Sequence, residues 1–334
     1  MHALVYTQPN EMRIQDRPYP DVADGEVIVK IEAAGICGSD MHAYKGHDPR
    51  RQPGLVFGHE FAGTVVDSRD PSMRSGDRVS GNPSIVCGTC DNCLQGRSNL
   101  CTQRGMVGMT RPGAFAEYMS IPAATLIKLP EDMESDAAAL TEPAATALHA
   151  VNLSQRALHR PIQEGAVLIL GGGAIGMLAA LLLKRYGVDR LAVVELNAMR
   201  RQSIRDHVGC EAIDTGQQPL PESSFDLVMD CVGAAATRKA AFSAVKAGGV
   251  VMHVGLQDWA SEIDMRKLTL GEIALLGSFC YTLADMQATV DALHRGVFGG
   301  LGWVERRGLA EGPAAFGDLA QGKTATAKVL LKPE

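Results

Sequence analysis

Cys87, Cys90, Cys93 and Cys101 stand together in the stretch CGTCDNCLQGRSNLC, with the spacing C-x2-C-x2-C-x7-C. Two-residue gaps let successive thiolates turn into one tetrahedron, and four sulfurs close the ion to water, so a structural zinc is expected here. A disulfide pair and an iron-sulfur cluster are the competing readings. Asp91 lies inside the cluster and no Lys/Arg-rich run surrounds it, which speaks against a DNA-reading zinc ribbon.

A second set is dispersed: Cys37 in GICGSDMHAY, His59 and Glu60 in VFGHEFAG, and Glu142 in LTEPAATAL. One thiolate, one imidazole and one or two carboxylates could hold a catalytic zinc and leave a position for water or substrate. Spacing alone does not separate this set from a chance scatter of a cysteine, a histidine and a helical glutamate.

A third set is Gly171, Gly173 and Gly176, which form G-x-G-x-x-G between an apolar run and a helix-like one. The first glycine permits a tight turn, the second lets the backbone approach a pyrophosphate, and the third allows close helix–strand packing. Positive dipole and free N–H groups at the helix start then suit phosphate. Glu195 closes the next apolar run, where a carboxylate can accept from the adenosine ribose and repel a 2′-phosphate; this favours NAD. Arg200 and Arg201, close behind, keep NADP as the alternative. A glycine turn that binds nothing is the bland one.

These residues need two kinds of scaffold. Up to about residue 130 the chain runs in short β-like segments, EVIVKIEAAG, EFAGTVVDS, GDRVSG and AFAEYMSI, separated by turns. From about residue 165 the pattern becomes apolar strand, glycine turn and helix: AVLILGGG, RLAVVEL, FDLVMDCVG, GGVVMHVG and IALLGSF are continuous apolar runs, as expected in a parallel sheet covered on both faces. The stretch AVLILGGGAIGMLAALLL is uncharged and near the lower length for crossing a bilayer, yet Gly171–Gly173 split it into a strand and a helix, a soluble-core pattern. With 334 residues, 46% hydrophobic and 21% charged, the chain is expected to form two globular domains. A net charge of −6 argues against nucleic acid as a partner. The opening MHALVYTQPNEMRIQDRPYP has no export pattern, so a cytoplasmic location with reduced thiols is expected.

Taken in order, GICGSDMHAYKGH, GHEFAGTV, GDRV, the four-cysteine stretch, GAFAEYM, EPAATALHA, GGGAIG and KVLL resemble the zinc-dependent medium-chain dehydrogenases of the alcohol dehydrogenase superfamily over essentially the whole chain. Glu142 with Pro143, and Ser39 in CGSD, look like the sorbitol and polyol branch. The resemblance implies an α/β fold, with a GroES-like β-rich catalytic domain and a doubly wound Rossmann domain. The first is formed by residues 1–145 and 283–334, with the zinc lobe at about 83–108, and the second by residues 146–282. It implies zinc ligation by Cys37 and His59, with Glu60 and Glu142 as exchangeable or water-mediated ligands. Gly171, Gly173, Ile175 and Gly176 would line the pyrophosphate, and Glu195 and Arg200 the adenosine ribose. Val254, Gly255, Leu256, Ser278, Phe279 and Cys280 would approach the nicotinamide half, and Ser39 and His42 would relay the proton to solvent.

The implied activity is hydride transfer from a secondary alcohol of a polyol or sugar derivative to NAD, giving the ketone, with two zinc ions per chain and a homodimer or homotetramer as the assembly. The alternatives are a sugar acid (an aldonate) or threonine as substrate and, in other classes, a non-catalytic dinucleotide-binding regulator or a zinc-independent reductase. Where sorbitol dehydrogenases carry Phe-Arg-Tyr this chain has Phe279-Cys280-Tyr281. In KGHDPRR, His47, Arg50 and Arg51 could hold a carboxylate or phosphate if they line the cleft, or remain solvated on a loop.

Overall fold

In the computed structural model, which describes residues 1–333, the alternating runs of the N-terminal part pair as antiparallel strands around Glu26–Gly35. That strand pairs with Glu60–Ser68, Tyr118–Pro122 and the C-terminal Lys328–Lys332. Arg78–Gly81 and Leu126–Lys128 extend the sheet on one side and Val304–Gly308 on the other, giving seven strands. The chain's end is therefore built into its beginning. Register does the positioning: Gly35 pairs with Glu60 and with Leu330, so the exit of one strand, the entry of the next and the start of the last meet at one end of the sheet. Gly35 is required there because a Cβ on it would overlap the Glu60 carboxylate. Phe57, Phe61, Phe115 and Phe316 fill the core beneath, each stabilising by about 1.5–3 kcal/mol on burial.

The continuous apolar runs form a parallel sheet of six strands in the spatial order Glu211–Ile213, Leu191–Val194, Val167–Leu170, Phe225–Asp230, Val245–His253 and Ala274–Gly277. All four residues of VLIL and of LAVV are buried, which is why they show no alternation. Glu211–Ile213 is too short to display a period in the sequence. Connections reverse direction between Val167–Leu170 and Phe225–Asp230, and the crevice at the carboxyl ends of those strands is where such sheets take ligands.

Helix Thr141–Ala157 is rich in alanine, the best helix former. Pro143 is tolerated in its first turn, where N–H groups have no helical partner. The domain boundary expected at residues 145/146 falls inside this one helix. Its first turn carries Glu142, while Leu148 and Val151 pack into the core built on the parallel sheet. Helix Leu283–His294 places Met286, Val290 and Leu293 in the same cluster, which also takes in Ala33, Ala62 and Leu330 of the antiparallel sheet. The reason is packing: the alanine face admits close approach of a second helix, and sequence motifs do not report it. Among the described residues no helix is long and apolar enough to cross a membrane.

Candidate metal and dinucleotide sites

Cys37, His59 and Glu60 each offer a ligand atom, and these atoms lie within 4.8 Å of one another. Cys37 follows Gly35 by two residues and His59 precedes Glu60, so the strand register alone brings them together. Cys37 caps the short helix Gly38–Tyr44, and its N–H donates to Asp40 Oδ2 at 3.0 Å. Asp40 is fully buried; its Oδ1 faces His59 Nδ1 at 3.4 Å and Arg51 Nη2 at 3.2 Å. This turns the Nδ1 side of His59 toward a carboxylate and leaves Nε2 as the ligand atom, the usual way a second ring nitrogen is held. Burial disfavours the charged imidazole, yet the negative charges of Asp40 and Cys37 outweigh it and raise the His59 pKa well above its ordinary value.

Arg51 is neither a cleft cation nor a solvated one. Its guanidinium is buried against Asp40 and donates to the carbonyls of Gly108 (3.0 Å) and Ser39 (2.6 Å), 5.2 Å from the Phe57 ring centroid. Arg50 is paired with Asp48 through Nε and Nη2 at 2.8 and 2.9 Å. Arg51 is thus enclosed with Asp40, while Arg50 stays exposed on its loop beside Asp48, as the solvated alternative had it.

Both oxygens of the buried Glu60 carboxylate accept from Lys328 Nζ, at 2.6 and 2.7 Å, and the same ammonium donates to Ile36 O at 3.0 Å. Glu142 is turned to Tyr281, whose hydroxyl donates to Oε1 at 3.0 Å. Burial, opposed by His59 and reinforced by the charge of Glu60, pushes the Glu142 carboxyl up to about 7. The set of thiol, imidazole and carboxylate fits zinc, with Cys37, His59 and Glu60 already converging and Glu142 held on Tyr281. Binding must displace protons, because zinc takes neutral imidazole, thiolate and carboxylate. The raised His59 pKa favours the proton that zinc must displace, so affinity should fall as pH falls, by about tenfold per pH unit for each proton displaced. Calorimetric zinc titrations in buffers of different ionisation enthalpy check this, and uptake without proton release would contradict the ligand set.

In the cysteine lobe the four sulfurs also lie within 4.8 Å of one another. Cys90 and Cys93, and Cys87 and Cys101, stand 3.5 Å apart, a separation of ligands around a shared ion and not of bonded sulfurs. Backbone N–H groups of Cys90, Cys87 and Gln103 donate to sulfurs at 3.3–3.4 Å. N–H groups of Thr89 and Cys90 bring the Cys87 thiol down to about 6, while burial and the neighbouring sulfurs push the Cys93 thiol up to about 12; the convergence of four sulfurs is what fits a closed zinc. The lobe docks on the second sheet: buried Asn99 donates Nδ2–H to Phe279 O at 2.9 Å.

At the dinucleotide motif the three glycines answer to different neighbours. Gly171 has φ +98° and a Cβ there would strike Val232, while a Cβ on Gly176 would overlap Gly171 O. A Cβ on Gly173 would meet nothing within 4 Å. The protein's own packing demands the outer two; the middle one keeps open a space in front of helix Ala174–Arg185, which begins with no side-chain cap and with Ile175 half-buried in its first turn. That is a cradle for an anion.

Glu195 is fixed at its strand end, accepting from Gly172 N at 3.1 Å and Asn197 N at 2.8 Å. Arg201 lies beneath, bonded to the carbonyls of Glu195 and Leu196 and paired with Asp214 at 2.8 Å, so it is not free for a 2′-phosphate. Arg200 keeps a buried Nε without a partner. Val254 and Gly255 donate to Asp230 O, both at 2.9 Å, at the crossing with Gly233, and Leu256 is exposed beyond them. Ser278 Oγ is buried without a partner at the end of the edge strand, and Cys280, with φ +50°, turns the chain back so that Tyr281 points inward. Ser39 is exposed on its helix and His42 is half-buried one turn on, its ring 5.2 Å from that of His47. Asp40 and Lys328 were legible only as letters inside CGSD and KVLL; no periodicity singles them out.

Comparison with known proteins agrees with these features. Residues 23–131 match the family described as alcohol dehydrogenase GroES-like domain, and residues 174–295 match zinc-binding dehydrogenase. The chain is 31% identical to an L-threonine 3-dehydrogenase of Chelativorans sp. (strain BNC1), over 84% of this chain and 83% of that one. A structure described as a zinc-binding dehydrogenase from Sinorhizobium meliloti 1021, bound to NADP, is 30% identical with a TM-score of 0.89 and 99% of each chain covered. A 2R,3R-butanediol dehydrogenase from Bacillus subtilis is 26% identical with a TM-score of 0.87, covering 100% of this chain and 99% of its own.

Proposed function

The chain belongs to the zinc-type medium-chain alcohol dehydrogenase superfamily, and from that premise we propose that it transfers a hydride from a secondary alcohol to NAD, giving the ketone. Polyols and sugar derivatives, sugar acids and threonine are the substrate classes. The observation that carries this reading is the convergence of Cys37, His59 and Glu60, with Glu142 behind them, tied through Tyr281 to the strand ends of the dinucleotide fold. Zinc supplies Lewis acidity toward an alcohol oxygen, and NAD supplies the hydride acceptor.

The chain's own groups do the rest. Cys37 and His59 would hold the ion, with Asp40 orienting the imidazole. Lys328 holds Glu60, and Tyr281 holds Glu142, so both carboxylates would face the ion from fixed positions. Ser39 would accept the alcohol proton while handing its own hydroxyl proton on toward His42, whose ring would pass a proton to solvent. Gly173 and the first turn behind it bind the pyrophosphate, and Ser278 offers its unpaired hydroxyl to the nicotinamide half. A non-catalytic regulator or a zinc-independent reductase would need only the glycine turn, and a complete set of catalytic ligands argues against both.

NAD in preference to NADP rests on Glu195. Replacing it with serine should lower the NAD-to-NADP ratio of kcat/KM by about 10–100-fold, since it removes both an acceptor for the ribose and a repulsive charge; an unchanged ratio would overturn that role. Two zinc ions per chain, one in each cluster, belong to the same proposal, as does a cytoplasmic location, where thiols stay reduced. A homodimer or homotetramer is proposed from the edge strand Ala274–Gly277, whose outer hydrogen-bonding row is unpaired and which sits among exposed Leu275, Leu270 and Trp259; a light-scattering mass of one chain would refute it. NAD reduction by the zinc-loaded protein across polyols, aldonates, threonine and simple alcohols tests the function, and activity on none of them overturns it.

A further inference from the structure

We propose that Arg104 is the anion-recognising residue of the substrate cleft, and that the substrate is a secondary alcohol carrying a carboxylate or phosphate on its carbon chain. This rests on the dehydrogenase reading above and narrows it.

The argument begins with charge. The chain carries a net charge of −6, and the candidate metal site adds Glu60, Glu142 and Cys37 to its own neighbourhood. The cations expected to offset them there are already committed: Arg51 to Asp40, Arg50 to Asp48 and Lys328 to Glu60. Arg104 is different. Among the described residues no carboxylate lies within the 4.0 Å that defines an ion pair to it, and its guanidinium makes one hydrogen bond, from Nη1 to Cys101 O at 3.0 Å. A guanidinium has five N–H donors, so most of the fork is left to solvent or ligand.

Its placement is fixed from two sides. Cys101 is buried in the cysteine lobe, and the Arg104 guanidinium lies over the Phe279 ring, 4.6 Å from the centroid. Asn99, from the same lobe, holds the Phe279 carbonyl, so the ring and the arginine move together. Two residues on, Tyr281 donates to Glu142. One short segment thus joins the stacked arginine to the candidate metal site. Burial pushes the Cys280 thiol between them up to about 12, with the charges of Glu142 and Cys37 adding to that and Arg104 opposing it. Stacking on an aromatic face leaves the edge of a guanidinium free, and that edge matches the two oxygens of a carboxylate or phosphate. An exposed, unpaired arginine, stacked on the segment that leads to Glu142, therefore selects an anionic end group while the hydroxyl to be oxidised lies nearer the candidate metal site.

The test compares probes that differ in charge. Gluconate, sorbitol 6-phosphate and uncharged sorbitol are titrated calorimetrically into the zinc-loaded protein with NAD, and the wild type is expected to bind at least one of the anions about 10-fold or more tightly than sorbitol. Arg104→Gln should bring that ratio close to 1, and Arg104→Lys should keep part of it, because a point charge attracts without the bidentate fit. Zinc content and melting temperature of both variants report whether the lobe is intact. Sorbitol binding as tightly as both anions, or an anion advantage that survives Arg104→Gln in a zinc-replete variant, overturns the proposal. The wild-type arm stands even if a variant fails to fold. Anion binding that depends on Arg104 without any NAD reduction would sink the dehydrogenase reading and leave the anion site standing.

Discussion

Cys37→Ser is expected to abolish NAD reduction, lowering kcat/KM by about 10⁴-fold or more, while the unfolding transition moves little. Serine keeps the volume of the side chain, and the contact that anchors this position to the helix is its backbone N–H to Asp40, which the substitution preserves. What is lost is the thiolate, the one soft anionic donor in the cluster with His59 and Glu60. Metal analysis should fall from two zinc ions per chain to one, since the four-cysteine lobe is untouched. Normal turnover by the purified variant would remove Cys37 from the ligand set and place the chemistry elsewhere.

Lys328→Met is expected to cost about 3–5 kcal/mol of stability, the usual loss when one partner of a buried ion pair is removed. Lys328 and Glu60 are both almost wholly buried, and the ammonium satisfies both carboxylate oxygens and the Ile36 carbonyl at once. Methionine fills the space but leaves a carboxylate without a counter-charge. Pairing the change with Glu60→Gln should recover a large part of the loss, because the stranded charge goes with it. Urea unfolding of the single and double variants measures both, and a single variant within about 1 kcal/mol of the parent would show that solvent or another group reaches Glu60.

The two variants separate two jobs at one place. The expected outcome for Cys37 is loss of the chemistry with the fold kept. For Lys328 the expected outcome is loss of stability, because its ammonium holds both oxygens of the buried Glu60.

The cysteine lobe, the glycine turn and the parallel strands were all legible in the residue order. Each depends on geometry within one short segment: a two-residue gap between thiols, one turn between strand and helix, or a run with no polar residue because both faces are covered. Nothing comparable marks Cys37, His59 and Glu60, which become neighbours because Gly35 pairs with Glu60 and not with a residue one step away. A slip of one would turn these side chains to the opposite face. Lys328 reaches Glu60 across 268 positions of sequence, and only the final strand's register explains it.

Charge shows the division most clearly. By itself the sequence determined that the chain has arginines near a candidate cluster and that its strands and glycines can build a dinucleotide fold. Which arginine is free was decided by tertiary structure: Arg51 is enclosed with Asp40, while Arg104 is carried by the cysteine lobe onto Phe279 and left unpaired. The physical reason is that side-chain periods and motif gaps report only short-range geometry, whereas an ion pair forms wherever the folded backbone brings opposite charges within reach, whatever separates them along the chain.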